Sequence, residues 1–319
     1  MKISELFSYF IERGIATDPR GEAAVRLELA ENAERFSKLS EKEKLSFDKE
    51  LLTNPYADSR ILNTANKDEI HSIMVGIDIE TPELLLAHAL KASGRAVDAV
   101  LTHHPEGHAY ASFYEVMDMQ ADIMNKAGVP INIAESLTKS RKKEVARKVA
   151  PQNHMRSVDA AKLLGISFMS THTIADNHVA AFLQSLFDDK KPRYLKDIMG
   201  ILEEIPEYQF AATIGNAPNI LAGDKESRAG KVFVDMTGGT EGHKEAMEKL
   251  ADAGIGTIVG MHMSEEHFKN AEKYRINVVL AGHISSDNLG MNMLLDSAEK
   301  KFGKIECIEC SGFRRIRRN

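Results

Sequence analysis

IMVGIDIETPELLLAHALKASGRAVDAVLTHHP, residues 73–105, holds the pattern that decides the fold. Residues 73–78 are short, apolar and rich in β-branched side chains, as a buried parallel strand is. Pro82 follows near the start of an apolar-periodic stretch, 83–92, where the first turn of a helix has no use for its N–H. Residues 97–101 form a second strand, and it ends on Thr102-His103-His104-Pro105. Strands alternating with helices of this length mark an α/β domain.

The same alternation extends outward in both directions. Met1 to Gly14 is an amphipathic helix, with Ile3, Leu6, Phe7 and Phe10 at helical spacing. Residues 25–51 are charged and periodic, and 54–60 are rich in turn formers, a loop long enough to fold back over a site. Downstream, strands are expected at 129–133, 166–170, 210–214, 231–234, 257–260, 277–280 and 305–310. Helices are expected at 113–126, 139–149, 157–164, 175–188, 194–201, 245–253 and 289–302. The pattern favours two α/β lobes in a three-layer arrangement: residues 1–185 with 276–319 as the first, and 186–275 as the second.

Composition narrows the class. The 319 residues are 43% apolar, enough for one large or two ordinary domains. A formal charge of −6 and the lack of basic stretches interleaved with aromatics argue against a nucleic-acid partner. The basic tip Arg314, Arg315, Arg317 and Arg318 reads as a solvated terminus or a subunit contact. Cys307 and Cys310 lie in an alternating, strand-like run, which favours packing over a redox or metal role. No apolar run reaches the length of a membrane span and no signal peptide is apparent, so a cytoplasmic protein is expected. Thr237-Gly238-Gly239-Thr240 could touch an anion or be a plain turn; it lacks the spacing of a P-loop or dinucleotide fingerprint.

The chemistry concentrates where strands end. His103-His104, His172 and His283 each follow an apolar run, and α/β sheets bind ligands outside the carboxyl ends of their strands. His172-Thr173-Ile174-Ala175-Asp176-Asn177 and His283-Ile284-Ser285-Ser286-Asp287-Asn288 repeat one pattern at a strand-to-helix junction. A carboxylate four residues after a histidine stands on the same side if the turn is helical. Neutral imidazole donates nitrogen to a divalent ion, and a carboxylate can bridge two. Each Asp could instead serve as a helix cap or first-turn charge, but a cap alone does not account for the paired histidines. His262-Met263-Ser264-Glu265-Glu266-His267 also has metal-like spacing, or is a surface turn at the start of a helix. Glu265 and His267, with His172, are candidate proton carriers.

These blocks (residues 100–105, 172–176 and 281–290) resemble the signatures of the Nif-three-like family, whose members carry dinuclear metal centres and are often described as type-two homologues of GTP cyclohydrolase I. The resemblance implies that His103 and His104 each bind one of two divalent ions, that Asp176 joins one and His283 the other, and that Asp287 bridges them. Asp176 is paired with His104 in this reading, and His172 lies in or just outside the ligand set. Where the family usually places Glu, this chain has Asp287. The resemblance further implies two similar lobes and a ring-shaped homohexamer with the metals facing an internal cavity. Zn, Fe, Mn, Co or Ni would suit such mixed nitrogen and oxygen ligands. Two functions follow as expectations: a metal-dependent hydrolase acting on a nucleotide or related small molecule, or a metal-binding regulatory protein without turnover.

Overall fold

Side chains alternate across a strand, so each strand sorts its apolar residues between two layers. The computed structural model, which describes residues 1–65 and 69–318, contains two such sheets. The first has five strands in the order β1-β4-β3-β2-β9: β1 (Arg60–Asn63), β2 (Ser72–Gly76), β3 (Ala99–Thr102), β4 (Ser167–Ser170) and β9 (Glu306–Glu309). The second runs β5-β8-β7-β6: β5 (Asn219–Ala222), β6 (Lys231–Asp235), β7 (Ile255–Gly260) and β8 (Asn277–Leu280). Both are parallel except for one antiparallel edge strand, β1 against β4 and β5 against β8.

The helices are α1 (Ile3–Ala16), α2 (Glu22–Lys38), α3 (Glu41–Ser46), α4 (Thr81–Ala92), α5 (Gly107–Ala111), α6 (Met119–Ala127) and α7 (Ile131–Val149). Then come α8 (Arg156–Leu164), α9 (Thr173–Lys190), α10 (Leu195–Glu203), α11 (Pro206–Thr213), α12 (Ala246–Asp252), α13 (Glu265–Lys273) and α14 (His283–Phe302). Among the described residues no helix is long and apolar enough to cross a membrane.

Strand parity sets the layers. Ile73, Val75, Leu101 and Met169 pack on α1, α9 and α14, while Met74, Val100 and Phe168 face α4 and α8. In the second sheet Val234, Val259 and Val279 share a core with α9, α10 and α14, and Phe233, Ile258 and Val278 face α6, α12 and α13. Each sheet is therefore the middle of three layers, and α9 and α14 belong to both lobes. Strand β8, which the sequence reading groups with the first lobe, hydrogen-bonds within the second sheet.

Several expectations are corrected. Residues 129–133 are no strand: Pro130 caps α7, whose first turn contains the apolar run. Residues 210–214 largely lie in α11, with Pro206 opening the helix. The short edge strands β1 and β5 fall where the sequence gives no strand signal. The arginine tip is solvated only in part: Arg314 and Arg317 are exposed, but the Arg315 side chain is buried against Asp296 at 2.6 Å and Glu299 at 2.9 Å, Arg317 meets Glu299 at 3.0 Å, and Arg318 pairs with Glu207. Cys307 and Cys310 serve cores on opposite faces of the first sheet, Cys307 with α1 and α14 and Cys310 with α4, as packing residues do.

The crossing of α9 and α14 tolerates no side chain. A Cβ at Gly290 would lie 2.4 Å from the carbonyl oxygen of Ala175 and 2.9 Å from its carbon. Backbone cannot move aside as a flexible side chain can, so Gly290→Ala should lose about 2 kcal/mol of stability despite its better helix propensity. Urea denaturation of the two proteins measures this, and equal midpoints would mean that the helices do not cross this closely.

Candidate metal centre

Three strand ends converge on one cleft. Beyond β3, the N–H groups of His103 and His104 donate to Gly76 O (3.0 Å) and Ile77 O (2.9 Å), so the ladder holds both histidines after the strand stops. His172 caps α9, its N–H donating to Ser59 Oγ at 2.9 Å. After β8, Gly282 turns the chain at φ +105°, where a Cβ would strike Ser285 Oγ at 2.6 Å, and His283 opens α14. Asp176 and Asp287 follow one helical turn after His172 and His283, on the same helix faces. The close crossing at Gly290 brings the two carboxylates together at the positive ends of two long helices.

The resulting contacts are too long for hydrogen bonds and suit ligands around an ion. His103 Nε2 lies 3.4 Å from both Asp176 Oδ1 and Asp287 Oδ1. Asp287 Oδ2 lies 3.5 Å from His104 Nε2 and 3.7 Å from His283 Nε2, and Asp176 Oδ2 lies 3.8 Å from His172 Nε2. Tetrahedral ligands with bonds near 2.0–2.1 Å stand about 3.3 Å apart. Asp176 Oδ1 and both oxygens of Asp287 are buried and accept no hydrogen bond. Orphaned carboxylate oxygens of this kind are costly without a cation. Ligating atoms of His103, His172 and Asp176, and of His103, His104 and Asp287, lie within 4.8 Å of one another. This buried group can hold metal ions.

The outer nitrogens fix the inner ones. His103 Nδ1 donates to Thr171 O (3.2 Å), His104 Nδ1 to Asp78 Oδ1 (2.6 Å) and His172 Nδ1 to Asp58 Oδ2 (2.8 Å). Each bond selects the tautomer whose Nε2 lone pair faces the centre. Electrostatics then separates the carboxylates. Burial opposes charge on Asp287, but His103, His283 and His104 outweigh it and hold its carboxyl below the usual range. Burial lifts Asp176 well above that range, with Asp287 and Asp58 adding to the effect and His172 opposing it. Burial depresses His103 to about 4. For His172 burial is overcome by Asp176, Asp58 and Asp287, which raise it to about 9.

All five expected ligands and His172 thus lie at one place, but the distances pair Asp176 with His103 rather than His104. Glu265 is elsewhere: it is exposed and pairs with Lys269 at 3.1 Å. His267 lines the cavity, yet both ring nitrogens are committed, to Ser264 Oγ (2.7 Å) and Gly242 O (3.0 Å). The second lobe instead presents His262, whose ring stands 4.9 Å from that of His283, with Glu241 behind it at 3.7 Å. Asp58, Asp78 and Glu241 escaped the sequence reading. Only the loop at 54–60, which does fold over the site, gave a signal for Asp58. The repeated Asn also has a purpose: Asn177 binds Gly14 O, Tyr56 Oη and the Thr237 hydroxyl, and Asn288 binds Gly312 O and the Arg314 N–H.

Among solved structures, the chain is similar to a NIF3 superfamily protein from Sphaerobacter thermophilus, with 26% identity over 81% of this chain and 92% of that one, and a TM-score of 0.70. It also shares the fold of reduced HcgD from Methanocaldococcus jannaschii, with 15% identity, 85% and 97% coverage, and a TM-score of 0.50. No protein-family model and no curated protein matches the chain.

Stripped of metal, the centre should make stability fall as pH rises. His172 is protonated up to about 9 in the folded chain, against about 6.5 when unfolded. Its contribution is complete below pH 6.5 and lost as pH climbs through 9, on the order of 3 kcal/mol. Asp176, also raised, acts in the same direction. Urea denaturation of chelator-treated protein between pH 6.5 and 9 should show this slope, weakened in His172→Gln. A flat profile in the parent would refute it.

Proposed function

We propose, from its likeness to a NIF3 superfamily protein and the geometry of its centre, that the chain is a Nif-three-like protein that binds two divalent ions per chain and uses them to hydrolyse a nucleotide or related small molecule. The observation that carries the reading is the set of buried, unpartnered oxygens of Asp176 and Asp287 facing imidazole nitrogens whose tautomers are fixed from outside. One ion would be held by His103, Asp176 and Asp287 Oδ1, with His172 at its side. The other would be held by His104, His283 and Asp287 Oδ2, so that Asp287 bridges. Zn, Fe, Mn, Co or Ni fits these donors.

The chemistry such ions supply is activation of a water at neutral pH and clamping of a phosphate or carbonyl oxygen. The chain's own residues do the rest. Asp58 and Asp78 aim His172 and His104. The crossing helices keep bulk water from the carboxylates. The His262–Glu241 pair stands across the cleft, where it can hold a proton near the leaving group; His262 is raised above its ordinary value by the neighbouring Glu241 carboxylate. The reading favours turnover over a purely structural centre because a cavity opens beside His104, His172 and His283 and leaves room for a substrate. By family resemblance the protein would also be a homohexamer, and light scattering at micromolar concentration that found only monomer would remove that part.

Elemental analysis after gentle purification should give about two divalent ions per chain. In calorimetric back-titration of stripped protein, Asp287→Ala should weaken both ions, Asp176→Ala mainly the one shared with His103, and His283→Ala mainly the other. Loss of one such ligand should cost at least tenfold in affinity. Unchanged stoichiometry and affinity in Asp287→Ala would break the bridging claim. A parent protein that binds no divalent ion would defeat the whole reading, and a panel of nucleotides and phosphoesters with each metal tests turnover.

A further inference from the structure

Two cavities meet at the histidine cluster, and they differ in kind. One, about 80 Å³, lies between the lobes over His103, Asp176 and Asp287. It has room for a few waters and none for a ring. The other, about 450 Å³, opens on the far side of His104, His172 and His283 and lies in the size range of small-molecule sites. A substrate large enough to need recognition must occupy the second.

Its outer wall has a definite chemistry. Tyr110 from α5 and Phe113 just beyond it present rings within 12° of parallel, with centroids 5.6 Å apart. His154 stands perpendicular to Tyr110 at 5.4 Å. The wall's charged groups are already engaged, Glu80 with Arg156 at 3.4 Å and Glu106 with the Ser157 hydroxyl. Beside them the wall offers the half-buried rings of Tyr110 and Phe113 and the buried Nδ1 of His154, which has no hydrogen-bond partner. The adjoining rim is packed against this wall: at Gly239, with φ +86°, a Cβ would meet Val116 Cγ2 at 2.8 Å and Phe113 Cδ2 at 3.6 Å. The rim and the turn bearing Phe113 therefore brace each other, which holds the aromatic wall in place.

We propose that this cleft is a subsite for a flat aromatic or heteroaromatic ring, stacked on the Tyr110–Phe113 wall with its polar substituent directed at the metal centre. The inference rests on the metal reading above for the second half of that statement only. Stacking of a base on an aromatic side chain is commonly worth tenfold or more in affinity.

Calorimetry on zinc-loaded protein, with adenosine 5′-monophosphate and its ringless counterpart ribose 5-phosphate as probes, tests it. The ring-bearing probe should bind about tenfold more tightly. Tyr110→Ala should remove most of that preference and Tyr110→Phe should keep it, with metal content equal in all three. Equal binding of the two probes, a preference that survives in both Tyr110→Ala and the Tyr110→Ala/Phe113→Ala double variant, or no binding of either probe at millimolar concentration would overturn the subsite. A ring preference in protein that holds no metal would support the subsite while refuting the two-metal reading. Two bound ions with no ring preference would do the reverse.

Discussion

The approach of α14 to α9 at Gly290 and Ala175 is the constraint on which the centre depends. Two strands from two different sheets each feed a helix, and each helix carries a histidine at its start and an aspartate one turn later. Separately these would be two ordinary helix N-termini with an acidic first turn. Because Gly290 has no side chain, the helices meet backbone to backbone, and Asp176 and Asp287 come to share the same imidazole, His103. A single methyl group at the crossing would separate the half-sites before it disturbed any ligand directly.

Holding so many polar groups out of water is expensive, and the surroundings are arranged to limit the cost. Isolated buried charges would shift their pKa values until they neutralised. Here Asp58 takes the Nδ1–H of His172 and also the Thr173 hydroxyl at 2.6 Å, so a third carboxylate is itself satisfied. Asn177 and Asn288 pin the segments on which the two motifs rest. Thr237, donating to Asn177 at 2.7 Å, ties the second lobe's loop to the residue next to Asp176. A half-satisfied buried network is worse than an apolar core. The oxygens left over are therefore best understood as facing a cation.

How much of this was legible in the chain follows from what is local. His103-His104 at the end of an apolar run and the repeated His-x-x-x-Asp need only the strand-to-helix geometry of their own segment, and the structure brings all of them together. Asp58 and Asp78 act across the fold, on His172 and His104, and no spacing in the sequence connects them. The misread elements have equally local causes. Val129-Pro130-Ile131-Asn132-Ile133 is too short to separate a strand from the first turn of a buried helix, and the helix-starting Pro206 was outweighed by the apolar residues after it. Strands β1 and β5 are short, lie at sheet edges and carry no alternation strong enough to stand out.

The two half-sites are built alike but are not electrostatically alike. Strands β4 and β8 each neighbour the antiparallel edge of their sheet, and each delivers a histidine to a long helix. Yet Asp287 faces three imidazoles, while Asp176 faces His103 and His172 with the carboxylate of Asp58 behind the latter. The same burial therefore leaves Asp287 ionised and pushes Asp176 toward its protonated form. Without metal, one half of the centre stores a proton between Asp176 and His172, and the other offers a bare carboxylate. A divalent ion arriving at the Asp287 half meets a ready negative ligand, whereas one arriving at the Asp176 half must displace protons. Near-duplicate architecture thus produces two unequal positions, and the carboxylate already ionised is the one whose oxygens face both.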